Sequence, residues 1–172
     1  MNIFYIDSNP AIAAKMMTDK HIVKMILESA QMLSTAHRQL DGDVHDDLYK
    51  SAYVNHPSTV WVRQSSMNYM WLYEHFVELN NQYTQRYGKV HKSFSRLNHI
   101  VCHPPKNIAL APFTPPPCCM PDVYQKYDDH IKNYRAYYLG EKLKKPKDIA
   151  RYYGVIQQFN GTRRKTFYDN WQ

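Results

Sequence analysis

His21, Lys24, Glu28, Gln31 and Thr35 recur at spacings of 3, 4, 3 and 4 between Asp19 and Arg38. At about 100° per residue, a helix would bring these five side chains within roughly 80° of one another. An imidazole, an ammonium and a carboxylate then share one narrow strip. Most of the remaining surface is apolar: Ile22, Val23, Met25, Ile26, Leu27, Ala30, Met32, Leu33 and Ala36. A surface helix shows the opposite proportion, so this one is expected to be buried. Buried charge is expensive unless it is paired or used. Two readings follow. One is an internal Lys24–Glu28 pair at i,i+4 with a core histidine; the other is a ligand-facing site.

His21 and Glu28 lie two turns apart on that strip. A carboxylate held there can stabilise a developing cation or move a proton. Lys24, between them, can bind phosphate or tune Glu28. Further candidates for a ligand or phosphate are Lys20, Gln31, His56, Arg63, Asn68, Arg86 and Lys89. Each has a structural alternative: His56 precedes Pro57 and suits a helix cap, and Arg86 ends a helical pattern where its cation complements the dipole. Other chemistries lack their motifs. There is no Gly-rich phosphate loop, no GxSxG elbow and no HExxH, and Glu28 has no nearby carboxylate partner for a paired-carboxylate hydrolase. Cys102-His103 and Cys118-Cys119 lack zinc-ligand spacing, so no metal and no cofactor is implied. Three cysteines make a poor disulfide framework, which points to a reducing cytoplasm. No apolar run is long enough to span a bilayer.

The elements that must position these groups read as helices. Asn2 to Ile6 is a short extended run ended by Asp7-Ser8-Asn9-Pro10. A short helix follows to about Met17, and Asp19 then caps the striped helix. Asn55-His56-Pro57 opens another helical segment. Ser65 or Ser66 caps a long helix from about Met67 to Tyr87, closed by Gly88. Further helices are expected from about His91 to Cys102, from Pro121 to Leu139, and near Lys147 to Tyr153. Seven of the ten prolines lie between His103 and Pro121, so that stretch is expected to wrap the surface in extended form. The reading is all-α: a single compact domain of about four substantial helices, with a short N-terminal extended segment and a Pro-rich surface loop.

The net charge of +7 is unevenly placed. Residues 1–130 hold 12 Lys+Arg against 12 Asp+Glu and form a charge-balanced helical core. Residues 131–172 hold 10 against 3 and form a basic C-terminal segment. Lys142, Lys144, Lys145, Lys147 and Arg151 carry part of this excess, and Arg163, Arg164 and Lys165 carry more. Aromatics interleave with them. Lys144 and Arg163 are accordingly expected on phosphates of a polyanion, nucleic acid first.

The order of motifs resembles the pyrimidine-dimer DNA glycosylases, the endonuclease V family of tailed phages. The resemblance rests on Asp19-Lys20-His21-Ile22 followed by Glu28, Asn55-His56-Pro57, an aromatic-rich helix, Arg86-Tyr87-Gly88 and a basic Tyr152-Tyr153-Gly154. The chain also resembles a set of tailed-phage proteins. The family likeness implies a compact all-α fold that binds duplex DNA and flips a base out. It implies an N-terminal α-amine that attacks the sugar C1′, a glutamate that supports the step, and strand cutting by β-elimination. By position, Glu28 is that glutamate, His21 the family's histidine, and the amine belongs to Met1. The pattern departs in two places. Residue 2 is Asn2 where the phage members have a small residue, and Leu27 and Gln31 stand where the family carries arginines. Two alternatives remain beside this reading: a nucleotide or nucleotide-signal binding protein, such as a phage counter-defence sponge, and a DNA-binding accessory protein without pocket chemistry.

Overall fold

The computed structural model describes residues 1–43 and 45–159. Among them there is no strand, and seven α-helices rather than four carry the fold. They are α1 (Pro10–Met16), α2 (Asp19–Asp41), α3 (Pro57–Gln64), α4 (Ser66–Tyr87), α5 (Lys92–Val101), α6 (His130–Tyr137) and α7 (Pro146–Phe159). The expected helix over 121–139 is broken. A 3₁₀ turn occupies Asp122–Tyr124, α6 begins only behind the Asp129 cap, and a π turn follows at Tyr138–Lys142. The last helix runs longer than expected, to Phe159.

Local chemistry sets the helix starts. The Asn9 side chain accepts from the Ala11 and Ile12 amides, with Pro10 in the first turn. Thr18, and not Asp19, caps α2 by accepting from the His21 amide. Asp19 is thereby freed to hold three cations: Arg86 at 3.2 Å, Arg151 at 3.0 Å and Lys147 at 2.6 Å. Imidazoles cap two helices, His56 on α3 and His91 on α5, each accepting through Nδ1 from an amide two residues on. Gly88, at φ 67°, ends α4 in a left-handed cap that an L side chain would strain.

The core is built on α2 and α4, which pack together and against α1, α3 and α5, while α7 packs on α1. Trp71, Leu72, Phe76 and Leu79 of α4 meet Ile22, Ile26, Ala30 and Leu33 of α2 in one apolar cluster. The expectation of a buried α2 holds for most of its length, but Val23 and Leu27 are exposed. The Pro-rich stretch is pinned along the α3–α4 junction. Asn68 donates to the Trp61 carbonyl and accepts from the Thr114 amide at 2.8 Å, while the Ser65 hydroxyl bonds the Ala111 and Pro112 carbonyls. No helix among the described residues is long and apolar enough to cross a membrane.

Candidate active site

The chain's first residues fold back onto α2. The Asn2 side chain organises this turn: its Oδ1 accepts from the Ile3 and Phe4 amides, and its Nδ2 donates to the Cys119 carbonyl at 2.7 Å. Phe4 sits at φ 53°, a left-handed conformation costing on the order of 1 kcal/mol for a bulky residue. Packing over-determines it. The Phe4 ring stacks on His21 at 4.5 Å and meets Tyr138 edge-on at 5.5 Å. The result is that the Asn2 backbone N–H donates to Glu28 Oε2 at 3.1 Å.

Glu28 is therefore held from two sides. Its other oxygen faces Lys24 Nζ at 3.2 Å. The pair straddles the surface: the Glu28 side chain is mostly covered, at 13% exposure, while that of Lys24 keeps 60%. His56 completes the group. Partial burial first, and the Met1 ammonium second, push its imidazole below the ordinary value, while Glu28 pulls the other way. A neutral His56 fits its Nδ1, which accepts from the Ser58 amide at 3.2 Å. The Ser58 hydroxyl in turn sits 3.3 Å from the Cys119 thiol. Asn2, Lys24 and Glu28 thus meet directly, with the Met1 amine and the His56 imidazole in electrostatic range: a terminal amine, a carboxylate and an imidazole, with an ammonium beside them. Such a set can generate a nucleophile and stabilise positive charge developing next to it.

The polar strip on α2 proves to follow the boundary between buried and exposed surface. Lys24 and Gln31 lie toward solvent, with Lys20 exposed nearby; His21 and Thr35 turn inward. His21 is placed beneath Phe4, with Nδ1 2.9 Å from the Tyr138 hydroxyl, and the same hydroxyl accepts from the Thr18 amide. Burial, then the Lys142, Lys24 and Lys20 ammonium groups, push His21 down to about 4. It is neutral at pH 7 and acts as a strut under the turn.

Several other candidates are engaged elsewhere. Arg63 donates to the Val54 and Thr59 carbonyls. Asn68 holds the Pro-rich stretch. Arg86 clamps the α1–α2 corner through the Met17 and Lys15 carbonyls, Gln82 and Asp19. Lys89 is exposed just beyond α4. Lys144 is exposed and donates to the Gly140 carbonyl at 2.7 Å. Arg163 lies outside the described residues. The spacing argument missed Asn2, Cys119, Tyr138 and Lys142. Tyr138 belongs to a legible tyrosine periodicity, but no local pattern ties any of the four to Glu28. No group of three or more His, Cys, Asp or Glu is arranged to hold a metal among the described residues.

No curated protein and no solved structure matches this chain. The family described as pyrimidine dimer DNA glycosylase matches residues 1–96, more than half the length and the whole stretch from the N-terminal turn through α4. The carboxylate that meets the start of the chain lies inside that match, and the chain belongs to the pyrimidine dimer DNA glycosylase family.

Proposed function

We propose that this protein is a DNA glycosylase with strand-cutting lyase activity on damaged or abasic duplex DNA, working through an α-amine at the start of the chain and Glu28. One observation carries the reading: the Asn2 backbone nitrogen, at the chain's start, lies 3.1 Å from a carboxylate that is mostly covered but not sealed off from solvent. In the reaction the amine nitrogen bonds to the sugar C1′ as the bond from C1′ to the base breaks. The base leaves with a proton, and the opened sugar is held as an imine. Loss of a C2′ proton then expels the 3′ phosphate oxygen and cuts the strand. Glu28 stabilises the cationic sugar and iminium, and neutral His56 is within the same group to carry protons. Lys20 and Lys24 supply phosphate contacts beside the site.

The register has two solutions. The nitrogen bonded to Glu28 is that of Asn2, so removal of Met1 would turn it into the free amine. With Met1 retained, the nucleophile is the Met1 amine one residue further out.

Borohydride reduction during incubation with abasic duplex DNA should trap a covalent adduct, and peptide mapping assigns it to Met1 or Asn2. Glu28→Gln should slow single-turnover cleavage by about 10²–10³-fold. It should change the melting temperature little, since Gln keeps an acceptor for the Asn2 N–H and the Lys24 ammonium it leaves is mostly in solvent. Absence of any adduct, on abasic and on ultraviolet-damaged duplexes alike, refutes the proposal.

A further inference from the structure

Beside Glu28, α2 presents a mixed face to solvent. Val23 is 42% and Leu27 41% exposed, one turn apart, so their side chains stand in line on a helix whose other large apolar residues are nearly all buried. Lys20 and Lys24 are exposed alongside them. Lys142 approaches from the turn after α6, with its ammonium over the Tyr137 ring at 4.6 Å. Lys20, Lys24 and Lys142 all act on the His21 imidazole, so three cations lie on this side of the molecule, and Lys20 and Lys24 share the helix face of the apolar pair. A second copy of this chain docked by a two-fold axis would set those cations against each other. A polyanion with an apolar interior, which is what duplex DNA is, complements both components of the face.

We infer that Leu27, backed by Val23, is the wedge that enters the base stack where the nucleotide bound for Glu28 leaves it, while Lys20 and Lys24 hold the flanking phosphates. This rests on the DNA glycosylase reading above. Extruding a nucleotide costs a few kcal/mol of stacking, and architectural proteins offset such losses by inserting Leu, Ile, Met or Phe between base steps. Leu27 has the size for this, and on α2 it stands about 100° round from Glu28 with Lys24 between them.

The test compares one abasic site in duplex and in single-stranded DNA, since only the duplex requires unstacking. Leu27→Ala should lower the duplex to single-strand ratio of single-turnover cleavage rates by about tenfold or more. It should also reduce the fluorescence rise of 2-aminopurine placed next to a tetrahydrofuran abasic analogue. Leu27→Met should restore both. An unchanged ratio with an unchanged fluorescence rise overturns the wedge while leaving the amine–Glu28 chemistry standing. A wild-type protein that cuts neither substrate overturns the functional reading itself. Sedimentation without DNA covers the other occupant: a wild-type dimer dissolved by Leu27→Ala overturns the proposal.

Discussion

Mild acid should destabilise this protein well before its carboxylates titrate, and two buried imidazoles set the size of the effect. His75 stacks on Trp71 at 5.1 Å, its Nδ1–H donates to the Pro10 carbonyl at 3.1 Å, and its Nε2 has no hydrogen-bond partner. Burial pushes it down to about 4. His21, under Phe4 and Tyr138, is pushed to about 4 by burial and by three lysines, opposed by Asp148. In the unfolded chain both bind a proton near pH 6.5. Between pH 6.5 and 4 the unfolded state therefore holds more protons than the folded state, and stability falls as pH falls. Going from about pH 7.5 to 5 costs about 2 kcal/mol for each group, or about 4 kcal/mol together. That is a large share of the roughly 5–15 kcal/mol a domain has. His37, His56 and His91 are lowered as well and act in the same direction. Urea unfolding, followed by tryptophan fluorescence at a series of pH values, measures the loss. His21→Asn keeps an acceptor for Tyr138 but cannot protonate, so its stability should fall about 2 kcal/mol less over the same range. A flat wild-type profile between pH 7.5 and 5 would refute the reasoning, as would a His21→Asn profile parallel to wild type.

Arg135 donates to the Ile6 carbonyl at 2.7 Å and to the Asp7 carboxylate at 2.9 Å, whose side chain is only 1% exposed. Arg135→Met removes a cation from a buried carboxylate and should cost about 2–4 kcal/mol in urea unfolding; a loss under about 0.5 kcal/mol would show the pair to be marginal. Lys20→Ala, Lys24→Ala and Lys142→Ala should each flatten the salt dependence of duplex DNA binding by about 0.9 in the log–log slope, read by fluorescence anisotropy at several salt concentrations. An unchanged slope would remove that lysine from the interface.

The helical character of the chain was legible because it is written locally. Asn9-Pro10, His56-Pro57, Ser65 and Gly88 each mark a boundary through a cap or a turn that their own side chains or backbone create. The 121–139 segment misread because its tyrosine periodicity is real only from α6 onward, where Asp129 caps the helix. Glu28 was legible through its spacing, and so was its pairing with Lys24. What covers each side of α2 was not. Val23 and Leu27 look like core residues by type, and His21 looks like a site residue. His21 is covered by Phe4 and Tyr138 and the opening turn is held by Cys119, and contacts spanning more than a hundred residues, such as His21–Tyr138 and Asn2–Cys119, leave no mark in any short window.

The turn of the first six residues is tied down in part by groups that follow residue 100: the Cys119 carbonyl on the Asn2 side chain, the Tyr138 ring against Phe4 and the Arg135 guanidinium on the Ile6 carbonyl. A fragment ending at residue 96 would keep Glu28 and its lysine yet lose every one of these anchors. The opening residues would then depend on contacts within the fragment, such as Phe4 on His21 and the Asn2 amide on Glu28. The candidate site is thus braced in part by the half of the molecule that the family match does not cover.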